Sequence, residues 1–146
     1  MHILVLNGPN LNMLGIREPD IYGKTTYGEL VRMIEAEAEC LQLEVECFQS
    51  NHEGALVDRI QAAYRKSDGI VINPGAYTHT SIALLDAIKA VGIPTVEVHI
   101  SDPDAREDFR KRSYIRPACI ATIKGHGLNG YLEAMALLLA HCNKQA

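Results

Sequence analysis

GIVINPGAYTHTS, residues 69–81, is an unbroken apolar run that stops at an asparagine, turns through Pro-Gly, passes a histidine between two threonines and ends on a serine. A short β-branched run bounded by turn residues reads as a strand buried on both faces. Thr80 or Ser81 then stands where a cap should open the following helix. The same unit recurs outward in both directions. Strands are expected at 2–6 (HILVL), 43–48 (LEVECF), 69–72 (GIVI), 94–98 (PTVEV) and 119–123 (CIATI). Helices are expected at 25–41, 53–66, 80–91 and 130–142, with a turn of helix near 104–110. Thr26 and Glu29 are spaced for a capping box, and Gly92 closes the third helix.

Five apolar strands joined by helices imply a parallel sheet covered on both faces by right-handed crossovers. The expected fold is α/β, a flavodoxin-like doubly wound sheet of five parallel strands in the order 2-1-3-4-5. No linker, repeat or low-complexity tract divides the chain, so residues 1–146 read as one domain. In such sheets ligands bind beyond the carboxyl ends of the strands, at the switch point beside the first and third. The segments to inspect are therefore NGPNLN after residue 6, NPGAYTHTS after residue 72 and HISDPDARE after residue 98. Any one of them is ordinary turn chemistry, with Asn tolerating a left-handed backbone and Pro-Gly making a tight turn. Three such loops on one edge, carrying His79, His99 and at least one arginine, suit a small anionic, hydroxylated molecule.

Composition narrows the classes further. The chain is 47% hydrophobic and 22% charged with a net charge of −4, a globular balance without the basic field that nucleic acid demands. Its cationic residues are scattered apart from REDFRKR at 106–112, so no nucleic-acid partner is expected. MHILVLNGPN carries no basic leader and an apolar run of only four residues, which predicts neither a secretory signal nor a membrane span, and a cytoplasmic location. Cys40, Cys47, Cys119 and Cys142 are widely spaced in apolar segments and are expected to be buried, reduced thiols.

Other readings of a βα alternation fail on particular residues. A dinucleotide fold needs G-x-G-x-x-G after its first strand, whereas NGPNLNMLG separates Gly8 from Gly15 and inserts Pro9, which has no N–H to offer a phosphate. GHGLNG, Gly125 to Gly130, matches that pattern but follows the last strand, and reads as a tight strand-to-helix turn. A phospho-acceptor domain would place acids where Asn7 and Asn73 stand. The six histidines include no i, i+4 helical pair and no cysteine partner, so no metal site is expected.

The motifs LNGPNLN, REPDIYG, FQSNHEG, INPGAYTHTS, EVHIS, AREDFR and a closing GxGxxGY run through nearly the whole chain. In order and spacing the sequence resembles the type II 3-dehydroquinate dehydratases. The resemblance implies a lyase that dehydrates 3-dehydroquinate to 3-dehydroshikimate without metal or cofactor, the step shared by aromatic amino-acid biosynthesis in the shikimate pathway and quinate breakdown. It also implies a homo-oligomer, a dodecamer built as a tetramer of trimers.

By the same resemblance Tyr22 is the catalytic base and Arg17 its activator, Asn10 holds a water near the enolate oxygen, and His99 is the general acid oriented by Glu97. Asn73, His79 and Arg110 would bind substrate hydroxyls, the backbone of Ile100 and Ser101 would cradle the carboxylate, and Asp86 would reach a neighbouring subunit's site. Two departures from the family pattern stand out, Asp102-Pro103 beside the cradle and Arg116 before Pro117.

The chemistry asks for these residue types. Loss of water from a β-hydroxy ketone begins with a carbon acid, so the base must be strong, and a separate acid must protonate the departing hydroxyl. A phenol is basic enough but is largely protonated at neutrality, and a guanidinium beside it favours the phenolate. Gly15 and Gly23 bracket residues 15–24 and would let this segment act as a lid. The alternative is a ligand-binding or interaction protein on the same fold that performs no turnover. Finally YLEAMALLLAHC, in the last helix, is apolar over most of its circumference, which points to burial beyond one helix face.

Overall fold

The structure is a computed structural model that describes residues 1–146. Strands β1 (His2–Asn7), β2 (Glu44–Gln49), β3 (Gly69–Asn73), β4 (Thr95–His99) and β5 (Ala121–Lys124) form one sheet in the order β2-β1-β3-β4-β5. All four pairings are parallel. The helices are α1 (Pro19–Tyr22), α2 (Tyr27–Cys40), α3 (Glu53–Ala62), α4 (Ile82–Val91) and α5 (Asn129–Gln145).

The two-residue period of β1 and β3 divides the core. Ile3, Val5 and Val71 face one side, with Leu30, Ile34 and Ala38 of α2 and Tyr131, Ala134, Met135 and Leu138 of α5. Leu4, Leu6, Ile70 and Ile72 face the other, against Leu56 and Ile60 of α3 and Leu84, Ala87 and Ile88 of α4. Each fully buried aliphatic chain contributes about 1.5–3 kcal/mol relative to exposure, which is why these strands are continuous apolar runs. The β1 and β3 ends are in register, Asn7 beside Asn73, and the chain beyond them is very tightly packed. A Cβ on Gly8 would lie 2.4 Å from the Pro74 carbonyl oxygen, so only glycine fits where these two loops cross.

The caps agree with the sequence. The Thr26 side chain accepts from the Glu29 N–H at 3.2 Å, and the Glu29 carboxylate accepts from the Thr26 N–H at 2.7 Å. Gly92 ends α4 in the left-handed region at φ 65°. GHGLNG is a tight connection into α5, with Gly125 at φ 77° and Gly127 at φ 61°.

Several expectations need correction. The fifth strand begins at Ala121 rather than 119, because Pro117 sits in a 3-10 turn (Arg116–Ala118) that carries the chain up to Cys119. The helix expected to reach 66 ends at Ala62, and the last one extends to Gln145. The single turn expected near 104–110 is two 3-10 turns, Pro103–Ala105 and Asp108–Lys111. REPDIYG is not all loop, since Pro19 opens the one-turn helix α1. The cysteines are free but not uniformly buried. Cys40 lies two residues past the inward-facing Ala38 and is exposed, while Cys47, Cys119 and Cys142 are half-buried. The outer leucines of α5 are themselves half-covered within the chain. The exposed large apolar residues are instead Met13, Ile16, Ile21, Tyr64, Ile82, Phe109 and Ile120. No helix is long and apolar enough to cross a membrane.

Candidate active site

A pocket opens beyond the carboxyl ends of β1, β3 and β4, where the switch-point argument places it. Asn10, Arg17, Tyr22, Asn73, His79, His99, Ile100, Ser101 and Arg110 all line it, joined by Pro103 and Arg106. Glu97 lies behind His99, fully buried. Asp86 neither lines the pocket nor hydrogen-bonds to a residue that does. It sits on the exposed side of α4.

The α1 segment brings Tyr22 to the pocket mouth, where the ring also packs against the α2/α5 core. The Arg17 guanidinium carbon lies 4.7 Å from the Tyr22 ring centroid. The phenol oxygen itself is held by a different arginine: Arg106 Nη1 donates to Tyr22 Oη at 2.8 Å, with its guanidinium carbon 5.6 Å from the ring centroid. Sequence reasoning missed Arg106. Its signal was present in AREDFR, within the only dense cationic run of the chain.

His99 closes β4. Its Nε2–H donates to Glu97 Oε1 at 2.6 Å, which leaves Nδ1 as the ring nitrogen for the pocket. Thr78 Oγ1 at 2.6 Å and Ser113 Oγ at 2.8 Å also donate to Glu97 Oε1. Thr122 Oγ1 donates to Oε2 at 3.2 Å, and Arg116 Nε lies 3.8 Å from that oxygen. Burial alone would raise the Glu97 pKa. The hydrogen bonds from His99, Thr78 and Ser113, with the charge of His99, outweigh it and bring the carboxyl down to about 2. Glu97 is therefore an anion at any working pH and holds the Nε2–H edge of the His99 ring.

His79 Nδ1–H donates to the Arg112 carbonyl at 2.6 Å. Burial, only partly opposed by that hydrogen bond, holds His79 below the ordinary histidine value. A neutral ring protonated on Nδ1 presents Nε2 as an acceptor, which suits a hydroxyl donor. Arg110, on the second 3-10 turn, is oriented by Glu107 at 2.7 Å.

The segment after β4 forms the remaining wall. The carbonyls of Ile100 and Ser101 accept from Gly127 and Gly125, while their own N–H groups bond to nothing within the chain. Two adjacent backbone donors facing a pocket suit a carboxylate. Asp102-Pro103 does not disturb them. The Asp102 side chain accepts from Asp104 N at 3.0 Å and caps the turn, and Pro103 takes the first position, where an N–H would go unused. Asn10 adopts φ 69°, and its N–H donates to Asn51 Oδ1 at 3.0 Å, which ties the loop after β1 to the one after β2.

The remaining histidines are structural. His2 Nδ1 pairs with Ser67, His126 with Glu133 and His141 with Gln145, and the His52 backbone begins α3.

A doubly wound sheet with a phenol, two imidazoles and three guanidiniums gathered in a pocket beyond its strand ends is the architecture of an α/β enzyme. Residues 1–139 match the family described as dehydroquinase class II, and the chain belongs to that family of hydro-lyases. It is 59% identical over 137 residues to a 3-dehydroquinate dehydratase of Caldicellulosiruptor saccharolyticus, covering 93% of this chain and 94% of that one. It is 56% identical over 138 residues to a 3-dehydroquinate dehydratase of Clostridium acetobutylicum, covering 94% and 96%. The crystal structure of a type II dehydroquinase from Butyrivibrio crossotus superimposes with a TM-score of 0.94 at 55% identity, over 95% of this chain and 97% of that one.

Proposed function

We propose that this chain dehydrates 3-dehydroquinate to 3-dehydroshikimate by anti elimination through an enolate, with Tyr22 as base and His99 as general acid. The observation that carries the reading is the pairing of Tyr22 with two arginines at one side of a pocket that also receives the Glu97-backed His99. A hydrogen bond from a guanidinium to the phenol oxygen stabilises negative charge there, and a second guanidinium over the ring adds to it. The phenolate removes a proton from the carbon between the ketone and the hydroxyl-bearing carbon. The electron pair moves onto the ketone oxygen, and a water held by Asn10 steadies that enolate. As the enolate collapses, the carbon–carbon double bond forms and the carbon–hydroxyl bond breaks. His99, reacting as the imidazolium with Nε2–H still held by Glu97, gives its Nδ1 proton to the departing oxygen, which leaves as water.

Substrate recognition follows from the same geometry. The Ile100 and Ser101 N–H groups take the carboxylate, and Asn73, His79 and Arg110 take hydroxyls. Residues 15–24 close over the pocket as a lid and exclude water from the enolate. Asp86, exposed on α4 and remote from this chain's own pocket, serves a neighbouring subunit's site in a dodecamer built as a tetramer of trimers. The route uses no Schiff base, metal or cofactor.

Substrate labelled with deuterium at one face of the reacting carbon tests the reading. Anti elimination removes the label from one epimer only, with a primary isotope effect on that epimer. Loss of label from both faces, or covalent trapping of substrate on a lysine by borohydride, contradicts it.

A further inference from the structure

Tyr131, in the first turn of α5, is fully buried yet keeps its hydroxyl hydrogen-bonded to two side chains far away in sequence. Its Oη–H donates to Asn7 Oδ1 at 2.6 Å and its oxygen accepts from Asn73 Nδ2 at 2.9 Å. Asn7 ends β1 and Asn73 ends β3, so the phenol ties together the two strand ends that form the switch point. The direction of the chain is fixed by its ends. At the Asn73 end the Gly75 N–H can only donate, so Oδ1 faces Gly75 and Nδ2 donates to Tyr131, whose own hydrogen goes to Asn7 Oδ1; Asn7 Nδ2 has no partner within the chain. The Asn73 Oδ1 in turn accepts from the Gly75 N–H at 3.2 Å. Burial pushes the Tyr131 phenol far above the ordinary tyrosine range, so it is a neutral hydroxyl at every working pH.

We infer that Tyr131 is a positioning residue: it locks the Asn73 amide in one of its two flipped orientations, so that the pocket meets a fixed donor and acceptor. An asparagine amide is nearly symmetric in shape, and turning it over exchanges N–H for C=O at the same place. In the observed orientation Nδ2 spends one hydrogen on Tyr131 and has a second for a substrate oxygen. Asn73 is 4% exposed and opens to the pocket, so nothing in solvent could hold it so firmly. Tyr131 lines no part of the pocket and acts only through Asn73. This role rests on the proposed activity, in which Asn73 binds a substrate hydroxyl.

The test is steady-state kinetics with 3-dehydroquinate on Tyr131→Phe, Asn73→Ala and the double variant, with Tm measured alongside. Losing one oriented hydrogen bond should raise KM for Tyr131→Phe about three- to tenfold with a smaller change in kcat. On the Asn73→Ala background the second substitution should leave KM where it was. Tyr131→Phe alone strands two buried polar groups, so Asn7→Leu with Tyr131→Phe is the companion variant. It makes Tyr131 and Asn7 apolar together and leaves only the Asn73 amide without its partner, and it should show the same rise in KM. An unchanged KM in the folded companion variant overturns the role, as does an equal rise with or without the Asn73 amide. If the wild-type chain does not turn over 3-dehydroquinate, the proposed activity fails and this role with it. Turnover by the wild type with unchanged kinetics in the variants removes the Tyr131 role alone.

Discussion

Replacing Glu97 with Gln keeps the size of the side chain and removes its charge, and glutamine stands in for the protonated acid. The carboxyl falls from 4.5 to about 2 in the folded protein, a difference of roughly 2.5 units, or about 3 kcal/mol in favour of the carboxylate. The group is fully buried, so little of this is lost to solvent screening. Because the folded value lies below the unfolded one, the stabilisation is complete above about pH 4.5 and disappears as pH falls through about 2. Glu97→Gln should therefore be less stable by about 3 kcal/mol at pH 7. It should also lose much of the slope of stability against pH that wild type shows between about 4.5 and 2. His99 loses its anionic partner at the same time, and kcat should fall about 10²- to 10⁴-fold if His99 is the acid. Urea unfolding at a series of pH values and the rise in ultraviolet absorbance of the conjugated product read the two effects separately. A variant with wild-type stability at neutrality and wild-type kcat would show that the Thr78, Ser113 and His99 hydrogen bonds carry none of the energy assigned to them.

Arg106→Gln removes the donor to the Tyr22 oxygen while Arg17 still covers the ring, so kcat should drop about tenfold or more with a smaller change in KM; a raised KM at unchanged kcat would make Arg106 a substrate-binding residue only. Burial pushes the Cys47 and Cys119 thiols up to about 12, and Cys40 is exposed, so brief alkylation at pH 8 followed by mass spectrometry should label Cys40 first and leave Cys47 and Cys119 largely intact. Thr26→Ala breaks the capping box of α2 and should cost about 1 kcal/mol in chemical unfolding without changing KM.

The sheet was readable because each strand is a short apolar run closed by turn residues, and the parallel order follows once helices separate every pair. The pocket was readable for a related reason: Asn73 and His99 end strands, Asn10 and His79 follow strand ends closely, and the topology places strand ends together. What the sequence hid is contact between distant segments. Arg106 and Tyr22 are 84 residues apart, and nothing local distinguishes Arg106 from the other cations of its run. Tyr131 reads as one more apolar residue of α5, and its link to Asn7 spans 124 residues. Thr78 and Ser113 look like turn and cap residues until the Glu97 carboxylate is found between them. Pro103 illustrates the converse. It departs from the family pattern beside Ile100 and Ser101, and the Asp102-capped turn accommodates it because the proline takes a first position where an N–H would go unused.

The proposed reaction turns on the phenol oxygen of Tyr22. The most direct measurement is turnover of 3-dehydroquinate by Tyr22→Phe beside wild type, followed by product absorbance, with binding of an unreactive substrate-like carboxylate measured by calorimetry. The ring, its packing and both arginines stay in place, and only the phenol hydroxyl is gone. Turnover should fall by about 10²-fold or more while the carboxylate binds nearly as well as to wild type. Near wild-type turnover by Tyr22→Phe would contradict the account.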